Sequence, residues 1–375
     1  MAMVHRPELR AASARLSASQ QLRRQAGLSP NPRFYFQTED LHTGPFDFGQ
    51  NAETYAYFSQ VFETSGRRAG RIAVANEVSE RSRLETERTR RDIELSVKQA
   101  YWAAETAARI WDLYVQDDGY FHQVIAYHEA RLREGKLAEV DLLRVRLEDE
   151  RIHAAASSAS LDVERALLEL SRAMGVVDTR QWILTENFEA LNPPSGLDPD
   201  ADPVLLRLEG QIAQEAIAEA RANLRLQKAA GRPDLEALFG YKRNAGFDTA
   251  ITGLQINLPL FDRNQGGAAA AEAQINAAEQ SFAAIHNQLL SELSIAKREY
   301  EMRRDQYSQT FKPLRDQAVE ISDITRAAYR EGGLDLVRLL DAERLRIEAE
   351  ISRVAALGRY HQSVVALEYA EGVTQ

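Results

Sequence analysis

Asp141 and Arg144 stand three residues apart, as do Arg338 and Asp341, and the two pairs carry the same charges in exchanged order. Opposite charges at i, i+3 share one face of a helix, where each ion pair contributes about 0.2–0.5 kcal/mol. The pairs belong to a wider recurrence. "REGKLAEVDLL" at 133–143 and "REGGLDLVRLL" at 330–340 agree at seven of eleven positions. These are Arg133/Arg330, Glu134/Glu331, Gly135/Gly332, Leu137/Leu334, Val140/Val337, Leu142/Leu339 and Leu143/Leu340. Such agreement marks a duplicated unit. On the plainest reading, the glycines stop helices in the left-handed turn conformation while the leucines pack.

The remaining candidates for chemistry are weak. His5, His42, His122, His128, His153, His286 and His361 are spread along the chain, none at i, i+4 from another. No carboxylate–histidine group has zinc-enzyme spacing, and His122 and His128, six residues apart, face different sides of a helix. The expectation is solvated or packing histidines, with no metal site and no cofactor. With no cysteine, the chain as given excludes disulfides, thiolate sites, a cysteine nucleophile and a lipidated N-terminal cysteine, and the redox compartment stays open. Met174 and Met302 alone, away from the N-terminus, make no copper trail. A nucleophile elbow, a phosphate loop and a GxGxxG after a strand are all missing, so no catalytic residue is expected. Most carboxylates read as solvated helix faces.

The chain has 375 residues and a formal charge of −10. That balance argues against a nucleic-acid partner, since affinity for phosphate rests on clustered Lys and Arg. No window approaches the roughly 18–20 apolar residues of a membrane-spanning helix. "MAMVHRPELRAAS" lacks a signal-peptide core, so the chain is either cytoplasmic or has had its signal removed.

The elements that position the twin motifs follow from periodicity. Residues 67–174 are rich in Ala, Leu, Glu, Arg and Gln, contain no proline, and carry a helical seam through Ile93, Val97, Ala100, Tyr101, Ala104, Ala108 and Trp111. The long helix is expected to break at Gly135, resume near Glu139 and stop at Gly175. The second half repeats this, with helices at about 265–330 and 336–370, a break at Gly332 and Gly333, and Pro313 as a kink or joint. At 1.5 Å per residue, each arm of sixty-odd residues would measure roughly 90–100 Å. Ahead of each arm, 32–64 and 233–261 read as β-hairpins. Alternation in the second sets Leu235, Ala237, Phe239 and Tyr241 against Glu236, Gly240 and Lys242. Helices at about 7–26 and 203–230 precede the hairpins, and a Pro/Gly/Asp linker at 175–202 should cross the surface without regular structure. The repeats are thus 1–202 and 203–375.

Two hairpins leave four strands with open edges. Three copies would close twelve strands into a barrel, for which Phe34, Phe36, Tyr55, Tyr57, Phe58 and Phe62 would supply interfacial rings. With these features, the junctions "QVFETSGRRAGRI" and "INLPLFDRNQGGAAAAEAQI" and the paired "REGxLxxVxLL" turns, the chain resembles the TolC-like outer-membrane efflux proteins. It is most like the CzcC-type subgroup, which works with heavy-metal exporters of the resistance-nodulation-division class. The resemblance runs from Pro7 to Val373 and departs at the N-terminus, where the family carries an export signal.

That resemblance implies a mainly α fold with a membrane β-barrel: a duplicated protomer, a homotrimeric twelve-stranded barrel in outer-membrane lipid, and a long coiled-coil tunnel through the periplasm. It implies an exit duct for heavy-metal cations or small toxic compounds, partnered by a periplasmic adaptor and an inner-membrane transporter. Arg133, Glu134, Gly135, Leu137, Val140, Arg330, Glu331, Gly332, Leu334 and Val337 would then form the tip that docks the adaptor. Asp141, Arg144, Arg338 and Asp341 would bridge between coils and hold the tunnel mouth closed. Asp341 matches an acidic constriction position of the family, whereas Arg338 replaces its acidic neighbour. The rival readings are the duct of a type I protein secretion system and a soluble coiled-coil scaffold. A scaffold has no use for alternating aromatic strands.

Overall fold

The computed structural model describes residues 2–41, 45, 47–48, 52–176, 182–194, 196 and 202–372. His42 and part of the first hairpin loop lie outside them. Helices α1 (Ala2–His5) and α2 (Pro7–Ala26) lead into strands β1 (Arg33–Glu39) and β2 (Glu53–Phe62), then helices α3 (Arg67–Arg133) and α4 (Glu139–Ala173). After the linker come α5 (Pro203–Leu206), α6 (Leu208–Ala230), β3 (Leu235–Asn244) and β4 (Phe247–Ile256). The chain finishes with α7 (Gln265–Asp305), a π-helix (Gln306–Phe311), α8 (Lys312–Arg330) and α9 (Leu336–Glu371). The order helix, hairpin, long helix, turn, helix therefore occurs twice. No described helix is long and apolar enough to cross a membrane.

Two expectations change in detail. The helix expected over 203–230 divides at Arg207, which is extended (φ −80°, ψ 134°). Arg207 is buried, pairs with Glu292 at 3.1 Å and covers the Tyr369 ring at 5.0 Å, so the backbone breaks to aim a guanidinium inward. The helix over 265–330 is interrupted by the π-helix directly before Pro313. Proline lacks an N–H and clashes with the carbonyl four residues back, and a widened turn there lets the helix continue.

The chain divides into two units, each drawing on both halves of the sequence. Residues 11–87 and 208–287 form one. It holds an antiparallel sheet in the order β1-β2-β3-β4, so the two hairpins pair through β2 and β3. The register aligns Phe34 with Phe58 and Phe58 with Phe239, and aligns Phe62 with Leu235 and Leu235 with Ile256. Directly paired residues share a face. One face is therefore apolar, and it is open: Phe34 is 60% exposed, Phe58 59%, Phe239 69% and Leu254 70%. The other carries Arg33, Gln37, Glu53, Glu236 and Lys242 by the same alternation. There Lys242 Nζ donates to Tyr55 Oη at 3.1 Å and lies 3.3 Å from Glu53. The six aromatics expected to form one set are divided, because Tyr55 and Tyr57 lie one position out of phase and join the polar face.

Residues 1–10, 88–207 and 288–375 form the other unit. Ile93 and Ala104 of the expected seam are buried, while Trp111 is 37% exposed. Its largest core joins Phe188, Leu357 and Tyr360, with Trp102 packed against it and stacked on His361 at 3.9 Å. The described linker residues have no helix or strand, but the linker does not merely cross the surface. Phe188 is buried in that core, its carbonyl oxygen is 2.7 Å from His361 Nε2, and Tyr101 Oη accepts from the amides of Thr185 and Glu186. An apolar anchor between polar neighbours is invisible to a composition-based reading of a loop.

Candidate functional site

The twin motifs fold into two turns of one design. At the end of α3, Gly135 adopts φ 70°, its amide donates to Leu132 O at 2.9 Å, and Lys136 N donates to Arg131 O at 2.9 Å. At the end of α8, Gly332 adopts φ 79°, its amide donates to Tyr329 O at 3.0 Å, and Gly333 N donates to Ala328 O at 2.9 Å. Both are Schellman caps, in which a left-handed residue lets two amides return to the last carbonyls. A Cβ on either glycine would meet nothing within 4 Å. Within the chain, then, it is backbone conformation rather than crowding that demands glycine. The following helices begin differently: Asp335 accepts from Arg338 N at 2.9 Å, whereas Ala138, its counterpart, offers no side-chain cap.

The motif residues fall into an inner and an outer set. Leu142 and Leu339 are buried, and Leu339 packs with Val145 and Leu336. Val140 is 54% exposed and Val337 42%, on helix faces beside the exposed Arg133, Glu134, Arg330 and Glu331. Leu137 and Leu334 are half-buried. Of the four charges, Asp141 and Arg144 pair at 3.5 Å. Among the described residues, Arg338 and Asp341 form no corresponding pair; Arg338 is exposed and its amide serves the cap.

Beneath the turns, α3 and α8 are tied by a buried histidine. His128 is 1% exposed, its Nδ1 is 2.7 Å from Val124 O and its Nε2 is 2.7 Å from Tyr329 Oη. Burial pushes the His128 imidazole below its ordinary range, and burial does the same to His361. A depressed folded value means that the folded state binds fewer protons than the unfolded one. The stabilisation is therefore complete above the unfolded value of about 6.5 and is lost as pH falls through the depressed folded value. Thermal stability should decline from about pH 7 to pH 5, and the H128Q/H361Q variant should be flatter across that window. An equal slope in the variant would remove these histidines as its source.

Farther along, a buried ionic network that the sequence reading missed links α3, α8 and α9. Glu343, 1% exposed, accepts from Arg326 through Nε and, at 2.6 Å, through Nη2. It also accepts from Ser322 Oγ at 3.1 Å and from Arg346 Nε at 3.1 Å. Arg346 continues to Asp117 through Nη2 and to Glu350 through Nη1 at 2.9 Å. Burial raises the Glu343 carboxyl, and the hydrogen bonds and charges of Arg326 and then Arg346 more than reverse it, leaving it below the usual range. The network fixes the helices that carry both turns. Its only sequence trace is Glu343, Arg346 and Glu350 at spacings of three and four, which reads equally as a surface lattice.

Comparison with known proteins places this geometry. Residues 1–176 match the model of the family described as outer membrane efflux protein. The cobalt-zinc-cadmium resistance protein CzcC of Cupriavidus metallidurans is 25% identical over 372 residues, covering 96% of this chain and 85% of that one. The nickel-cobalt-cadmium resistance protein NccC of Alcaligenes xylosoxydans xylosoxydans is 26% identical over 285 residues, covering 74% of this chain and 63% of its own length. The solved structure of CusC, described as undergoing conformational changes with folding and transmembrane channel formation, superposes with a TM-score of 0.81 at 18% identity. It covers 99% of this chain and 90% of that one, and so establishes the fold.

Proposed function

We propose that this chain, whose residues 1–176 match the outer membrane efflux protein family and whose fold is that of CusC, is the exit duct of a tripartite pump exporting divalent metal cations. One observation carries the reading: a four-stranded sheet exposes an apolar face, bears charges on the other, and leaves β1 and β4 as open edges. In water such a sheet is an aggregation hazard; in lipid, closed by two further copies, it satisfies every backbone group and turns its charges to a lumen. The substrate class is supported by the cation-resistance relatives, which match most of this chain.

The protein performs no chemical step in this reading. A water-filled path lowers the barrier that lipid sets for a hydrated ion, and the energy comes from an inner-membrane transporter. Its tip, formed by Val140, Val337 and the exposed Arg and Glu of both turns, receives a periplasmic adaptor. The Asp141–Arg144 pair helps latch the mouth, and adaptor binding favours the open arrangement.

The test begins with protein extracted from the outer membrane in detergent. Its mass should be that of three protomers; a monodisperse monomer in detergent-free buffer would sink the channel. The V140E/V337E variant should form the same trimer yet lose cation resistance in cells, and unimpaired resistance would remove the tip from adaptor docking. D141A/R144A should raise single-channel conductance in a planar bilayer, whereas unchanged conductance would eliminate the latch.

A further inference from the structure

Helices α3 and α4 each carry the pattern Asp-x3-His: Asp118 and His122 on one, Asp149 and His153 on the other. Residues four apart share a helix face. The two patterns face each other in antiparallel register, since His122 Nδ1 is 3.5 Å from Asp149 Oδ1 and His153 Nδ1 is 3.2 Å from Asp118 Oδ1. Ligand atoms of Asp118, His122 and Asp149 all lie within 4.8 Å of one another. The group sits about four helical turns from the Gly135 turn.

Asp149 supplies a second observation. Its side chain is 13% exposed, and its Oδ1, aimed at this group, accepts no hydrogen bond and has His122 Nδ1 at 3.5 Å as its charge contact. A buried carboxylate oxygen that accepts no hydrogen bond costs free energy that a neighbouring cation removes. The two histidines are over 60% exposed on their side chains, so their rings can turn towards an ion without disturbing packing.

We propose that Asp118, His122 and Asp149 bind a divalent transition-metal cation of the zinc, cobalt or nickel class, with His153 as a fourth ligand. Two carboxylates give the site the charge to hold a dication. The imidazoles direct it towards borderline ions and away from magnesium and calcium, which prefer oxygen alone. His122 Nδ1 is 2.8 Å from the Asp118 carbonyl oxygen, so a metal at Nδ1 replaces that hydrogen bond and the neutral imidazole then carries its one proton on Nε2. The bound ion would clamp α3 to α4. A duct requires no site of its own, so this inference goes beyond the exit-duct reading and stands or falls apart from it.

The experiment uses the full chain in detergent, stripped with a chelator and titrated with Zn²⁺ alone and with Co²⁺ alone by calorimetry. One saturable site per protomer is expected, together with the visible absorption of a low-coordinate Co²⁺ centre. The H122N/H153N and D149N variants should each weaken binding at least tenfold, while H286N binds as the unaltered protein does. Absence of saturable binding by the unaltered protein, or equal affinity in H122N/H153N, would overturn the site. Both histidines are exposed, so that variant tests ligation rather than folding.

Discussion

Glu343→Ala is expected to destabilise the helical unit by about 3–5 kcal/mol, the range found when one partner of a buried ion pair is removed. The mutation leaves two guanidinium groups without their shared acceptor: Arg326, with a side chain 25% exposed, and Arg346, at 10%. Arg346 keeps Asp117 and Glu350, whereas among the described residues Arg326 keeps Asp323 at 3.7 Å and the Tyr120 ring at 4.6 Å. Urea unfolding in detergent, followed by far-ultraviolet circular dichroism, reads the loss as a shift in midpoint. Glu343→Gln keeps one carbonyl acceptor and should lose less. A midpoint for Glu343→Ala within error of the unaltered protein would show that the network contributes nothing net. Because the network joins the helices bearing both turns, the destabilised variant should also lower cation resistance.

The second large effect is expected in the sheet. A Cβ placed on Gly240 would overlap the Cα and Cβ of Tyr57 and the carbonyl oxygen of Ala56. Tyr57 is its direct partner between β2 and β3, the ladder that joins the two hairpins. Backbone atoms cannot yield as a flexible side chain can, so Gly240→Val should cost about 3 kcal/mol or more, at or beyond the upper end for overpacking. A trimeric barrel would meet that cost three times. Trimer recovered from the outer membrane should therefore fall at least tenfold, measured by gel filtration of detergent extracts. Gly253→Ala is the control, since the atoms nearest its Cβ would be those of the flexible Leu238 side chain, at 3.2 Å and beyond. Equal trimer yields for the two variants would mean that β2–β3 pairing tolerates a side chain there.

The duplication, the helices, both hairpins and the two glycine turns were legible in the sequence, because each depends on interactions within a few residues. Helical periodicity marks α3, alternation marks β3, and a left-handed turn requires glycine whatever surrounds it. The resemblance to the outer membrane efflux proteins rests on the same local signals. Other features depended on the register between segments distant in the chain. Tyr55 and Tyr57 read with Phe34 and Phe58 as one aromatic set until strand pairing put them on opposite faces. Phe188 looked like linker until it proved to be buried beside Leu357.

Charge shows the limit most clearly. Glu343 and Arg346 have the spacing of a solvated helix face, and only the approach of α3 and α8 buries them. Asp118, His122, Asp149 and His153 form two unremarked pairs until antiparallel packing brings them within 3.5 Å of one another across the helices. A sequence records which side of a helix a residue occupies. What covers that side, and so whether a carboxylate is solvated, paired or poised for an ion, was decided by the tertiary structure, because desolvation depends on neighbours from other elements.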